Sequence, residues 1–110
     1  MKVLLDACTP VQVRHALPQH DVYTAAQMGY GALENGELLR AAEGAGFDVL
    51  IICDKNLRFQ QNLQQPRHLA ILELWTNHRP TLEQHWQFIG RTVDAIQAGE
   101  YRALEQPAGS

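Results

Sequence analysis

Val49-Leu50-Ile51-Ile52-Cys53 is an unbroken apolar run, entered through Gly46-Phe47-Asp48 and closed by Asp54. A strand with one wet face alternates apolar and polar residues, whereas a strand covered on both faces does not. Residues 48–53 therefore read as a central strand of a parallel sheet. Lys2-Val3-Leu4-Leu5, closed by Asp6, is a second run of this kind, and His68 to Leu74 is a third.

Between these runs the sequence carries helix signals. Thr9 as N-cap and Pro10 in the first turn open a helix reaching about Leu17. His20 to Thr24 is a short strand, and Ala25 to Met28 one helical turn stopped by Gly29. The spacing of Leu38, Leu39 and Ala42 predicts a helix over 35–45, with Asn35 as N-cap and Gly44 and Gly46 as stop signals. A further helix is expected from Asn56 to about Leu63, ended by Pro66. Thr81, with Gln84 completing a capping box, opens the clearest helix, whose core stripe is Leu82, Trp86, Ile89, Val93 and Ile96. Tyr101 to Leu104 reads as an edge strand, and residues 106–110 as a flexible tail outside a domain spanning 1–105.

Alternation of strands and helices points to a single-domain three-layer α/β/α sandwich with a mostly parallel sheet of about four or five strands. The chain has 110 residues, 45% of them apolar, which suffices for one core. A net charge of −3 argues against a broad basic surface, so any nucleic-acid contact has to be local. Cys8 and Cys53 read as reduced thiols, and no apolar stretch approaches the roughly 20 residues that span a bilayer. A cytoplasmic protein with no membrane partner is the expectation.

The acids carry the chemistry. In the strand order 2-1-3-4-5, strands one and three are neighbours, and the chain leaves them in opposite directions. Asp6 and Asp54 then flank the crevice where such sheets bind ligands. Glu37, at the start of the helix between them, is the third candidate. Each acid has a plain alternative: Asp6 and Asp54 as turn or cap residues, Glu37 as a carboxylate favoured by the helix dipole. Together, three acids in one crevice repel unless a cation sits among them, and Mg²⁺ or Mn²⁺ takes oxygen ligands. Such a cation activates water and stabilises the leaving oxygen of a phosphodiester. Lys55, Arg58 and Arg14 are the candidate phosphate contacts, each also readable as a solvated face, with Arg67 more simply a surface residue. Gln60, Gln61, Asn62, Gln64 and Gln65 either hydrogen-bond nucleotides or keep a loop soluble. The histidines lack zinc spacing, and neither cysteine has a CxxC partner.

Met1 to Asp6 with Thr9-Pro10, then Met28-Gly29-Tyr30, Leu33 to Leu39, and Phe47 to Leu57, in this order and spacing, resemble the compact PIN-like proteins often encoded in bacterial toxin–antitoxin operons. The resemblance covers roughly residues 1–75. It implies a five-stranded parallel sheet and a metal-dependent endoribonuclease, in which Asp6, Glu37 and Asp54 hold Mg²⁺ or Mn²⁺ for RNA cleavage. Glu34 and Asn56 stand just behind these ligands, and the candidate partners are RNA, an antitoxin protein and a second copy of the chain. Family members commonly carry further acids where this chain has Ala7 and Asn56, which lowers the expected hold on a metal. A non-catalytic PIN-like module that binds RNA or protein is the main alternative. A receiver-like phosphoacceptor domain is another, although Asp6 stands alone and no lysine follows the last strand.

Overall fold

Five strands hydrogen-bond in the order β2-β1-β3-β4-β5, and every neighbouring pair is parallel. The computed structural model describes residues 1–33, 35–53 and 68–107. The strands are β1 (Lys2–Leu5), β2 (Asp21–Thr24), β3 (Val49–Ile52), β4 (Ala70–Glu73) and β5 (Tyr101–Ala103). A 3-10 helix (Val11–Ala16) joins β1 to β2, and α1 (Asn35–Gly44), α2 (Arg79–Glu83) and α3 (Trp86–Ala95) are the described α-helices.

β3 is buried at every position, as its unbroken run requires. Its residues alternate between two cores. Val49 and Ile51 pack with Val3, Leu5 and Leu72 beneath the 3-10 helix, α2 and α3, through Val13, Leu82, Ile89 and Val93. Leu50 and Ile52 pack with Leu4, Ile71 and Phe47 beneath Leu38 and Ala42 of α1. Helices thus cover both faces of the sheet.

The end of α1 shows why the next strand starts where it does. Gly46 adopts left-handed geometry at φ 81°, while Phe47 N–H donates to the Ala42 carbonyl and Gly46 N–H to the Glu43 carbonyl. This is a Schellman stop, and its apolar pair, Ala42 and Phe47, is buried in the α1-side core. Glu43 then accepts the N–H groups of His68 and Leu69 at 2.8 Å each, fastening the approach to β4. At the same edge Asp48 accepts Lys2 N–H at 2.8 Å.

Two helix expectations need correction. Thr9 does not cap the segment after β1: no side-chain cap is made there, and the Thr9 hydroxyl turns back to Asp6. The segment is a 3-10 rather than an α-helix. The long helix expected from Thr81 is two helices broken at Gln84-His85, and neither carries a side-chain cap. α2 begins at Arg79-Pro80, ahead of Thr81, whose hydroxyl pairs with His78 Nδ1 at 2.9 Å, so the capping box does not form. His85 leaves helical geometry and meets Trp75 edge-on, with ring centroids 5.5 Å apart. Leu82, Ile89, Val93 and Ile96 nevertheless share one core, as their spacing predicts. The helix expected at 56–63, the side-chain cap of Asn35 and residues 108–110 of the tail lie outside the described residues.

Candidate functional site

β1 and β3 run side by side, Leu5 opposite Ile51, and the chain leaves β1 toward β2 on the other side. This is the switch point of the sheet. Asp6 stands there, its backbone N–H bonded to the Ile51 carbonyl at 3.1 Å.

The Asp6 side chain is nearly closed off from solvent, the residue being 8% exposed. Burial raises its pKa above the ordinary carboxylate value, against the opposing pull of the Thr9 hydroxyl and of the Thr9, Cys8 and Cys53 backbone N–H groups. Thr9 Oγ1 lies 2.5 Å from Asp6 Oδ1, 3.1 Å from the Ile51 carbonyl oxygen and 3.6 Å from Cys53 Sγ. The Cys53 thiol donates to the Thr76 carbonyl at 3.4 Å. Its pKa is pushed up to about 11, chiefly by burial and further by the charges of Asp6, Cys8 and Glu73. It is therefore a protonated donor at neutral pH.

Glu37 occupies the first turn of α1 and is exposed. Arg14 is exposed on the 3-10 helix, an element that packs on the opposite face of the sheet from α1. Among the described residues, no three His, Cys, Asp or Glu side chains gather closely enough to hold a metal ion. Asp54, Lys55, Asn56, Arg58, Arg67, Glu34 and the amide-rich stretch 60–65 lie outside the described residues.

One acid at this edge was passed over in the sequence. Glu73 ends β4, opposite Ile52 of β3, is only 3% exposed, and accepts the Tyr101 hydroxyl at 2.5 Å. Its signal was available: a lone carboxylate inside the apolar run Leu69-Ala70-Ile71-Leu72-Glu73-Leu74. A buried acid requires partners, so it marks a polar network within a hydrophobic strand.

Tyr30 and Trp75 are half-buried and pack against the two hydrophobic clusters, and Phe59 lies outside the described residues. Met1 and Val11 are the large exposed hydrophobic residues among those described. No described helix is long and apolar enough to cross a membrane. No protein-family model, curated protein or solved structure matches the chain.

Proposed function

We propose that this chain is a PIN-like endoribonuclease dependent on Mg²⁺ or Mn²⁺, acting in the cytoplasm as the toxin of a toxin–antitoxin pair. One observation carries the reading: a buried carboxylate, Asp6, stands at the switch point between β1 and β3. A desolvated carboxylate gains more from a cation than an exposed one, because the surrounding medium screens the attraction less.

Asp6 supplies hard oxygen donors, which fit Mg²⁺ or Mn²⁺ in kind. In this reading Asp6, Glu37 and Asp54 hold the metal, which when bound supplies an activated water and a counter-charge for the leaving oxygen. Thr9 fixes the rotamer of Asp6 through its hydroxyl. Lys55, Arg58 and Arg14 receive the RNA phosphates. The Cys53 thiol, committed to Thr76, keeps the wall of the crevice neutral.

A second reading rests on the same carboxylate. The Thr9 hydroxyl and the backbone N–H groups of Cys8, Thr9 and Cys53 all favour ionised Asp6, so the loop supplies partners without a metal. That arrangement suits a PIN-like module that binds RNA or protein and does not cut. The two readings separate in one experiment. The nuclease raises its melting temperature with Mn²⁺, cleaves single-stranded RNA, and loses both responses in Asp6→Asn and Asp54→Asn. If Mn²⁺ changes neither stability nor RNA, and both variants match wild type, the enzyme reading fails.

A further inference from the structure

We propose that the cavity between the 3-10 helix and α3 is a binding site for one nucleotide, with the base held at Trp86 and the phosphate on Arg91. The cavity is a groove of about 340 Å³, open to solvent, on the face of the sheet away from α1. That volume is at the small end of ligand pockets, which run from about 300 to 1,000 Å³. A single nucleotide matches it in scale, whereas a folded nucleic acid does not.

Gly90 sets how closely the two helices approach. A Cβ at this position would stand 2.5 Å from the Ala16 carbonyl oxygen, so only glycine lets α3 approach the 3-10 helix this closely. Above that contact the lining mixes apolar surface from Ala16, Pro18 and Trp86 with a few polar side chains. Trp86 packs against the core on one side and lines the cavity as well, which gives a base a fixed aromatic neighbour. Gln19 and Gln87 each bring an amide with both donor and acceptor, the pairing that suits an adenine edge.

Charge favours a phosphate. Arg91 lines the cavity, is exposed, and enters none of the ion pairs among the described residues. Its planar guanidinium matches phosphate oxygens in pairs. The acid of the cavity, Asp94, is already engaged by His20 Nε2 at 2.6 Å, which directs that carboxylate to the imidazole. The site does not involve Asp6 and does not depend on a metal.

A nucleotide can reach this cavity free in solution or as the end of an RNA strand, and the chemistry recognised is the same. The chain has two tryptophans, Trp75 and Trp86, so a Trp75→Phe protein reports on Trp86 alone. This protein is titrated in EDTA with 5′-AMP and, separately, with a short 5′-phosphorylated oligoadenylate, following indole fluorescence. Saturation by AMP assigns the free nucleotide, and saturation by the oligomer alone assigns an RNA end. In either case Arg91→Ala weakens binding at least tenfold and Gln87→Ala weakens it less. Arg79→Ala, at an arginine paired with Glu83 outside the cavity, leaves binding unchanged. Circular dichroism melts establish that each variant is folded. No saturable response to either probe, or equal affinity in folded Arg91→Ala, overturns the proposal.

Discussion

The Thr9 hydroxyl oxygen stands 2.5 Å from Asp6 Oδ1 and 3.1 Å from the carbonyl oxygen of Ile51. A hydroxyl has one proton and cannot donate to both acceptors at once. With Asp6 ionised, the proton is directed to the carboxylate. With Asp6 protonated, the carboxyl O–H can donate to Thr9 while the Thr9 hydroxyl turns to Ile51. One residue thus keeps β1, β3 and the loop after β1 bonded in either charge state.

Thr9→Val keeps the shape and removes the donor, leaving buried Asp6 without its side-chain partner. The expected loss is about 1 kcal/mol, the usual net contribution of one hydrogen bond, because the backbone N–H groups of Cys8, Thr9 and Cys53 still serve the carboxylate. Thr9→Ser retains the hydroxyl and should recover most of that loss. Urea unfolding of the three proteins makes the comparison. Equal midpoints for Thr9→Val and wild type would show that the bond contributes nothing to stability.

Asp6 and Asp48, at opposite ends of the sheet, should respond to acid in opposite senses. Burial raises the Asp6 pKa, so the folded protein holds that proton more tightly than the unfolded chain, whose value is about 3.9. Its contribution to stability therefore falls as pH rises through the folded pKa. The Lys2 backbone N–H and, after it, His68 hold the Asp48 pKa down. Its contribution is present above the unfolded value and is lost as pH falls through the folded one. Thermal melts from pH 3 to pH 7 test this. Asp48→Asn should flatten the acid limb, whereas Asp6→Asn should melt no lower than wild type at neutral pH. A lower melting temperature for Asp6→Asn at every pH contradicts the argument.

Features legible in the sequence are those set by local pattern. The run 49–53 identifies β3 because burial on both faces leaves a direct trace in residue type, and the acid closing β1 marks the switch point. Long-range contacts leave no such trace. Thr9 looks like a helix cap until Asp6 and Ile51 compete for its hydroxyl. The break at Gln84-His85 arises where His85 meets Trp75, ten residues earlier in the chain, although the core stripe runs through it without interruption. Glu73 was hidden by its neighbours, because an apolar run directs attention to packing and away from the polar group inside it.

The two cysteines should differ sharply in reactivity. Cys8 is exposed, whereas Cys53 is half-buried, bonded to Thr76 and held as a thiol by a pKa of about 11. Alkylation attacks the thiolate, so iodoacetamide at pH 7.5 should label Cys8 first and Cys53 only slowly. Labelling of Cys53 should rise as pH approaches that value. Peptide mass mapping over a time course reads both sites. Comparable rates at pH 7.5 would mean that the Cys53 environment is open.

Gly90→Ala tests the contact between α3 and the 3-10 helix. Alanine is the better helix former by about 1 kcal/mol, so propensity alone predicts a more stable protein. The added methyl, however, would meet the Ala16 carbonyl oxygen at 2.5 Å, and a backbone atom cannot move aside as a flexible side chain can. Overpacking of this kind costs about 1–3 kcal/mol, which outweighs the gain in propensity. The variant should therefore unfold at lower denaturant concentration, with altered amide shifts at Ala16 and Leu17 in NMR spectra. A Gly90→Ala protein more stable than wild type would mean that the 3-10 helix yields readily, leaving the groove above it without a fixed floor.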